Sequence, residues 1–260
     1  MDKGPQKTIK VMSYNIRRDR PVWHEIRDKN SWYKRRKGLT AQILRYSPDL
    51  LGVQEANPSQ AAYLTKNLHG YKMIKLGRDG KDRGEACAIF YKPERFELIS
   101  NETFWLSQTP DVPSNYPGTI CKRICTYIVA KDKLTSKTFC YLNTHLDNRV
   151  AGARMFGAEK ICQKIASFDC PIILSGDFND TEQSKAYNTV AAILNDSAKV
   201  AADSKEHGSF HDFTGKARQY PIDFIFVSKN ISVNRYGVIV ERGEKAWHSD
   251  HYPVFAEIEM

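Results

Sequence analysis

Apolar and polar positions alternate along Ile9-Lys10-Val11-Met12-Ser13-Tyr14-Asn15, which predicts a strand over 9–15. Leu39, Ile43 and Leu44 recur at helical spacing and predict a helix over 34–46, broken by Pro48 and Asp49. Leu50 to Glu55 reads as a short buried strand with a polar end. Ser59 is expected to cap a second helix that Gly70 ends. Strands follow over 86–91 and 95–99, a Pro-rich loop over 107–119, and a strand pair over 124–130 and 138–142. A helix is predicted over 151–167 with Met155, Ala158, Cys162 and Ile165 on one face. Ile172 to Leu174 is a strand, and 184–194 a helix on Tyr187, Val190, Ala191 and Leu194. The chain closes on strands over 223–227, 238–240 and 254–258. Strand pairs mixed with helices predict two packed sheets flanked by helices. Strand–helix–strand units near both ends hint at two similar halves.

The polar ends of these strands carry the candidate chemistry. Asn15, Glu55, His145 with Asp147, and Asp177 with Asn179 each close an apolar run. Ligand sites in α/β proteins gather at such strand ends. Asp223 lies between apolar strand residues and needs a partner if buried. Asp250 stands beside His251. Taken singly, Asn15 reads as a turn residue, Glu55 as a helix-terminal charge and Asp250 as a loop residue. Together they supply several oxygen ligands and two imidazoles.

The 260 residues suffice for one large core, and 41% hydrophobic with 27% charged residues marks a globular chain. A formal charge of +9 favours acidic partners such as nucleic acid or phosphorylated small molecules. Residues 17–37 concentrate this charge, with nine Lys or Arg against Asp19, Glu25 and Asp28. Trp23, Trp32 and Tyr33 are interleaved there, a composition that suits single-stranded nucleic acid or, equally, a solvated helix start. Trp105 is a candidate for the substrate groove or for the core. Residues 1–8 read as a tail and 9–260 as one domain. No export signal or membrane-spanning run is read, so a cytoplasmic monomer is expected, with an export signal already removed as the alternative. Six cysteines without a Cys-x-x-Cys pair are expected as buried reduced thiols.

Five segments carry a resemblance: Tyr14-Asn15-Ile16-Arg17, Gln54-Glu55, Asn143-Thr144-His145-Leu146-Asp147, Gly176-Asp177-Phe178-Asn179 and Ser249-Asp250-His251. Their order resembles that of the endonuclease/exonuclease/phosphatase superfamily, which includes DNase I-like nucleases, deadenylases and inositol-polyphosphate 5-phosphatases. The nearest look is to bacterial members similar to the deadenylase branch. The resemblance implies a DNase I-like, four-layer α/β sandwich of two mixed sheets flanked by helices. It implies Asn15, Glu55 and Asp250 as ligands of Mg²⁺ or Mn²⁺, hard cations suited to oxygen donors. It implies Asp177 on the attacking water, Asn179 on a phosphoryl oxygen, His251 oriented by Asp223, and His145 as a second phosphate donor. Arg123 and Arg154 are candidate phosphate-binding cations, or structural ion pairs. The expected activity is phosphoester hydrolysis by in-line water attack, foremost of phosphodiesters as in a nuclease. The alternatives are a phosphomonoesterase acting on a phosphorylated sugar, inositol or nucleotide, and an inactive binding module.

Overall fold

In the computed structural model, which describes residues 7–19, 28–244 and 246–260, thirteen strands build two sheets and five helices accompany them. The first sheet contains β1 (Ile9–Asn15), β2 (Leu50–Ala56), β3 (Lys72–Ile74), β4 (Ala86–Tyr91), β10 (Asp203–Lys205), β12 (Ser232–Val238) and β13 (Val254–Glu259). Its order is β10-β12-β13-β1-β2-β4-β3. The second contains β5 (Phe96–Trp105), β6 (Ile124–Asp132), β7 (Thr138–His145), β8 (Ile172–Asp177), β9 (Asn195–Asp196) and β11 (Asp223–Val227). Its order is β5-β6-β7-β8-β11-β9.

Period-two alternation places each sheet between two apolar layers. On β1, Ile9 and Val11 face the inter-sheet core with Leu50, Phe139, Tyr141, Ile173 and Ile225. Met12 and Tyr14 face outward onto Leu39 and Ile43 of α1 (Trp32–Tyr46) and Leu64 of α2 (Pro58–Asn67). On β7 the alternation repeats, with Cys140 and Leu142 facing α3 (Ala151–Ile165) and α4 (Lys185–Ala191). The remaining helix, α5 (Ser197–Val200), is a single turn. Helix, sheet, sheet, helix is the four-layer α/β sandwich that the sequence implies. Each sheet has one parallel strand–helix–strand unit at its centre, β1-α1-β2 and β7-α3-β8.

The details depart from the periodicity in places. Asn57, not Ser59, precedes the first turn of α2: Gln60 Oε1 accepts the Asn57 N–H at 3.2 Å, and Pro58 opens the helix. Ser59 instead donates to Asp19. On α3 the buried face is Ala153, Gly157, Ala158, Ile161 and Ile165, while Met155 is exposed. The strand expected over 238–240 lies earlier, at 232–238. Strands β3, β9 and β10 are too short to show a period. All six cysteines are free thiols; Cys87, Cys125 and Cys140 are buried and the others half-buried. Among the described residues no helix is long and apolar enough to cross a membrane.

A polar seam crosses the interior beneath the strand ends. Gln54 Nε2 donates to Ser13 Oγ and to Asn143 Oδ1 on the opposite sheet. Asn143 returns hydrogen bonds to the carbonyls of Val53 and Ala88, at 3.1 and 2.9 Å. Gly52 admits this crossing, since a Cβ there would lie 2.5–2.7 Å from Ser175, Asn143 and Tyr141 side-chain oxygens.

Candidate active site

Register brings the polar strand ends together. Parallel β7 and β8 pair His145 with Asp177, and antiparallel β11 sets Asp223 opposite Asp177. From the first sheet, Asn15 Nδ2 reaches across to Asp177 Oδ2 at 2.9 Å and contacts Glu55 Oε1 at 3.3 Å. The pairing of β2 with β4 slips between Val53 and Ala56, and Glu55 sits there at φ +63°. Such a bulge, with a non-glycine residue held in the left-handed region, re-aims a side chain at a functional edge. The Arg18 N–H holds Glu55 Oε2 at 2.8 Å. The segment before β13 is tied in by Ser249 Oγ, which donates to the Asn15 carbonyl at 2.6 Å, and by the His211 N–H on the Asp250 carbonyl.

Glu55, His145, Asp177, Asn179, Asp250 and His251 line a cleft of about 430 Å³, while Asn15 and Asp223 are buried and do not line it. Five arginines line it, Arg17, Arg18, Arg78, Arg123 and Arg149, against five carboxylates, Glu55, Glu85, Asp147, Asp177 and Asp250. With His251 as imidazolium, the lining carries about one surplus positive charge, small beside the +9 of the whole chain.

His251 Nδ1 lies 2.8 Å from Asp223 Oδ2. Although burial opposes it, Asp223, with Asp177 and Asp250, raises the imidazole to about 10, so it is imidazolium at neutral pH. Burial, reinforced by Asp223, pushes the Asp177 carboxyl up to about 7, against the lowering influence of His251 and Asn15. Burial holds His145 well below its ordinary value, so it is neutral. Asn179 Nδ2 donates to the Leu146 carbonyl at 3.1 Å, which fixes the amide orientation. The same nitrogen meets His145 Nε2 at 2.8 Å, so Nε2 accepts and the proton resides on Nδ1. Both hydrogens of the Asn179 amide have partners within the protein, and the side chain lines the cleft where the resemblance implies a phosphoryl oxygen.

Asp177, Asp223 and His251 also offer ligand atoms within 4.8 Å of one another. His251 Nδ1 is spent on Asp223, and its Nε2 lies 3.8 Å from Asp177 Oδ2, so the trio reads as an oriented imidazole facing a carboxylate. Asn15 Oδ1, Glu55 and Asp250 are the oxygen donors; Asn15 Oδ1 accepts the Arg17 N–H at 2.9 Å, and the Arg17 guanidinium pairs with Asp250 Oδ2 at 2.6 Å.

Of the two expected phosphate cations, Arg123 lines the cleft and its Nη2 donates to Asn148 at 3.2 Å. Arg154 does not line it: the guanidinium pairs with Asp180 at 2.8 Å and with the Asp147 carbonyl at 3.1 Å. Asp147 caps the turn into α3 by accepting the N–H groups of Arg149 and Val150. Within the basic segment, residues 20–27 lie outside the described residues. Arg35 is fully buried and donates to the carbonyls of Ile16, Arg17, Asn30 and His248. Arg36 stacks over Tyr33 and Tyr63. Trp105 is core, its Nε1 donating to the Arg78 carbonyl. Arg17, the last residue of the quoted β1 motif, lines the cleft without having been given a role, and Arg18, Arg78, Glu85, Arg149 and Phe210 line it without having been singled out.

A family model described as the endonuclease/exonuclease/phosphatase family matches residues 12–251. The chain is 32% identical to a mannosyl-6-phosphatase of Bacteroides thetaiotaomicron, covering 97% of this chain and 100% of that one, with a TM-score of 0.93. It is 27% identical to an uncharacterized protein of Acanthamoeba polyphaga mimivirus, over 95% of this chain and 98% of that protein. It is 27% identical to bovine tyrosyl-DNA phosphodiesterase 2 over 60% of this chain and 40% of that protein. With the fold and all five motifs gathered at one cleft, the chain belongs to the endonuclease/exonuclease/phosphatase family and has the DNase I-like fold of that family's phosphoester hydrolases.

Proposed function

We propose that this chain is a metal-dependent phosphomonoesterase that hydrolyses phosphorylated sugars. The observation that carries the reading is the charge balance of the cleft. A groove for a polyanion neutralises many phosphates with surplus Lys and Arg. Here five arginines and the His251 imidazolium face five carboxylates, and Phe210 is the single Phe, Tyr or Trp among the described lining residues. That leaves little platform for stacking bases. The volume suits one small ligand. Full-length similarity to a mannosyl-6-phosphatase supports the same class. The phosphodiester reading stays second, supported by similarity to tyrosyl-DNA phosphodiesterase 2.

The oxygen donors of Asn15, Glu55 and Asp250 fit Mg²⁺ or Mn²⁺. When bound, such a cation neutralises charge on the phosphoryl and leaving oxygens. Asp177, ionising near neutral pH, is matched to taking the proton of the attacking water. His251 Nε2–H donates to the phosphoryl oxygen on which charge builds, and Asp223 holds the opposite nitrogen as a donor. His145, with Nδ1 protonated, is a second neutral donor, and Asn179 fixes its tautomer. Arg17 and Arg123 bind the remaining phosphoryl oxygens.

The test is turnover with Mg²⁺ of hexose 6-phosphates, p-nitrophenyl phosphate, bis-p-nitrophenyl phosphate and single-stranded RNA and DNA. Higher kcat/KM on a hexose phosphate than on either diester class is expected. The reverse order would return the phosphodiester reading to first place.

A further inference from the structure

The loop between β3 and β4 walls the cleft and takes no part in the chemistry above. Backbone bonds Gly77 N–H to Lys81 O, Arg78 N–H to Glu85 O and Asp79 N–H to Arg83 O fold it into a hairpin. Gly84 turns it at φ +76°, where a Cβ would meet Asp79 Oδ2 at 2.4 Å. Two anchors fix it to the second sheet: Trp105 Nε1 on the Arg78 carbonyl at 2.7 Å, and Lys122 on Asp79 at 2.8 Å. At its base, Arg78 Nη1 donates to Glu85 Oε2 at 2.8 Å. Both side chains are largely buried and line the cleft beside Glu55 and Arg123.

Neither partner is saturated. Among the described residues, Arg78 Nε and Nη2 have no hydrogen-bond partner, and Glu85 Oε1 has only a 3.5 Å contact from Arg18. Burial pushes the Glu85 carboxyl above its usual range in spite of Arg78, so further donors would stabilise its charged form. A rigid wall therefore presents open donors next to an open acceptor.

We propose that Arg78 and Glu85 form a subsite that reads adjacent hydroxyl groups on the sugar whose phosphate is hydrolysed, a proposal that rests on the sugar-phosphate reading above. Each sugar hydroxyl can donate and accept. One hydroxyl donates to Glu85 Oε1 while its neighbour accepts from Arg78, a two-point match that a lone charge does not provide. Arg78 is already paired with Glu85, and Arg18 reaches the same carboxylate at 3.5 Å, so this wall suits a neutral polyol better than a second phosphate.

The experiment compares mannose 6-phosphate with p-nitrophenyl phosphate, which offers no hydroxyl, for the unmodified protein, Glu85→Gln and Arg78→Met. KM for the hexose phosphate should rise roughly tenfold more than KM for the aryl phosphate, the scale of one hydrogen bond to a charged group. Hexose phosphates lacking one ring hydroxyl, tried on the unmodified protein, should include one that loses a similar factor. That arm stands even if a variant fails to fold. Equal losses on both substrates, or undiminished turnover of every deoxy analogue, would overturn the subsite. Failure of the unmodified protein to hydrolyse any hexose phosphate, while it cuts diesters, would overturn the sugar-phosphate reading itself, before any variant is made.

Discussion

His251 Nδ1 and Asp223 Oδ2 lie 2.8 Å apart, both side chains buried, at the point where β11 meets the segment leading into β13. Asp223 Oδ1 has no partner among the described residues, so the carboxylate has little besides His251 to stabilise its charge. Asp223 therefore holds the imidazole in its acid form far above the ordinary imidazole range.

His251→Ala should cost mainly kcat, on the order of 2–4 kcal/mol as for other preorganised charge-stabilising donors. The acid form of His251 is required, so activity falls as pH rises through its raised value of about 10. Asp223→Asn removes the largest raising influence, and the alkaline limb of the pH–rate profile should move to lower pH. The double variant should be little worse than His251→Ala. Additive losses in kcat would show that the two act separately.

EDTA should abolish turnover, and Mg²⁺ or Mn²⁺ should restore it. Glu55→Gln should raise the Mg²⁺ concentration for half-maximal rate more than Asp177→Asn, because Glu55 is assigned to the cation and Asp177 to water. An identical shift in the two titrations would contradict that division.

Arg35→Ala leaves the carbonyls of Ile16, Arg17, Asn30 and His248 without their guanidinium. The loss should reach about 3 kcal/mol or more, which lowers Tm by about 6–12 °C in a chain of this size. Lys37→Glu, exposed on the same helix, should shift Tm far less. Equal Tm changes would show that the buried clasp contributes little.

Gly52→Ala puts a methyl group into the polar seam between Ser175, Asn143 and Tyr141. A cost of about 1–3 kcal/mol is expected from overpacking. Urea unfolding should show a lower midpoint with an unchanged slope; an unshifted midpoint would mean that the sheets can part there freely.

The strand-end acids were legible because a charged or amide residue closing an apolar run has few uses except a site. Asp223 stood out for the same reason. The role of Arg35 is not legible in its basic segment, since nothing local reveals four carbonyls converging on it from three stretches of chain. Arg154 carried the signal of a cation near the motifs but belongs to Asp180, a partner set by the packing of α3. Gln54 and Asn143 lie inside the quoted motifs, yet their bond spans two sheets and depends on a register that single-strand periodicity does not contain. Arg78 and Glu85 meet through a glycine-shaped hairpin whose backbone pairing the composition alone does not define.

That hairpin joins β4 to β3, the outermost strand of its sheet, while Asn15 and Glu55 sit on inner strands braced by the polar seam. Hydrolytic groups and the proposed sugar-reading wall thus occupy separately inherited pieces of chain. Exchange of residues 77–85 for a hairpin of another length or charge would redirect substrate choice without moving a strand that carries a catalytic group. A single scaffold built this way can diversify its diet one edge loop at a time.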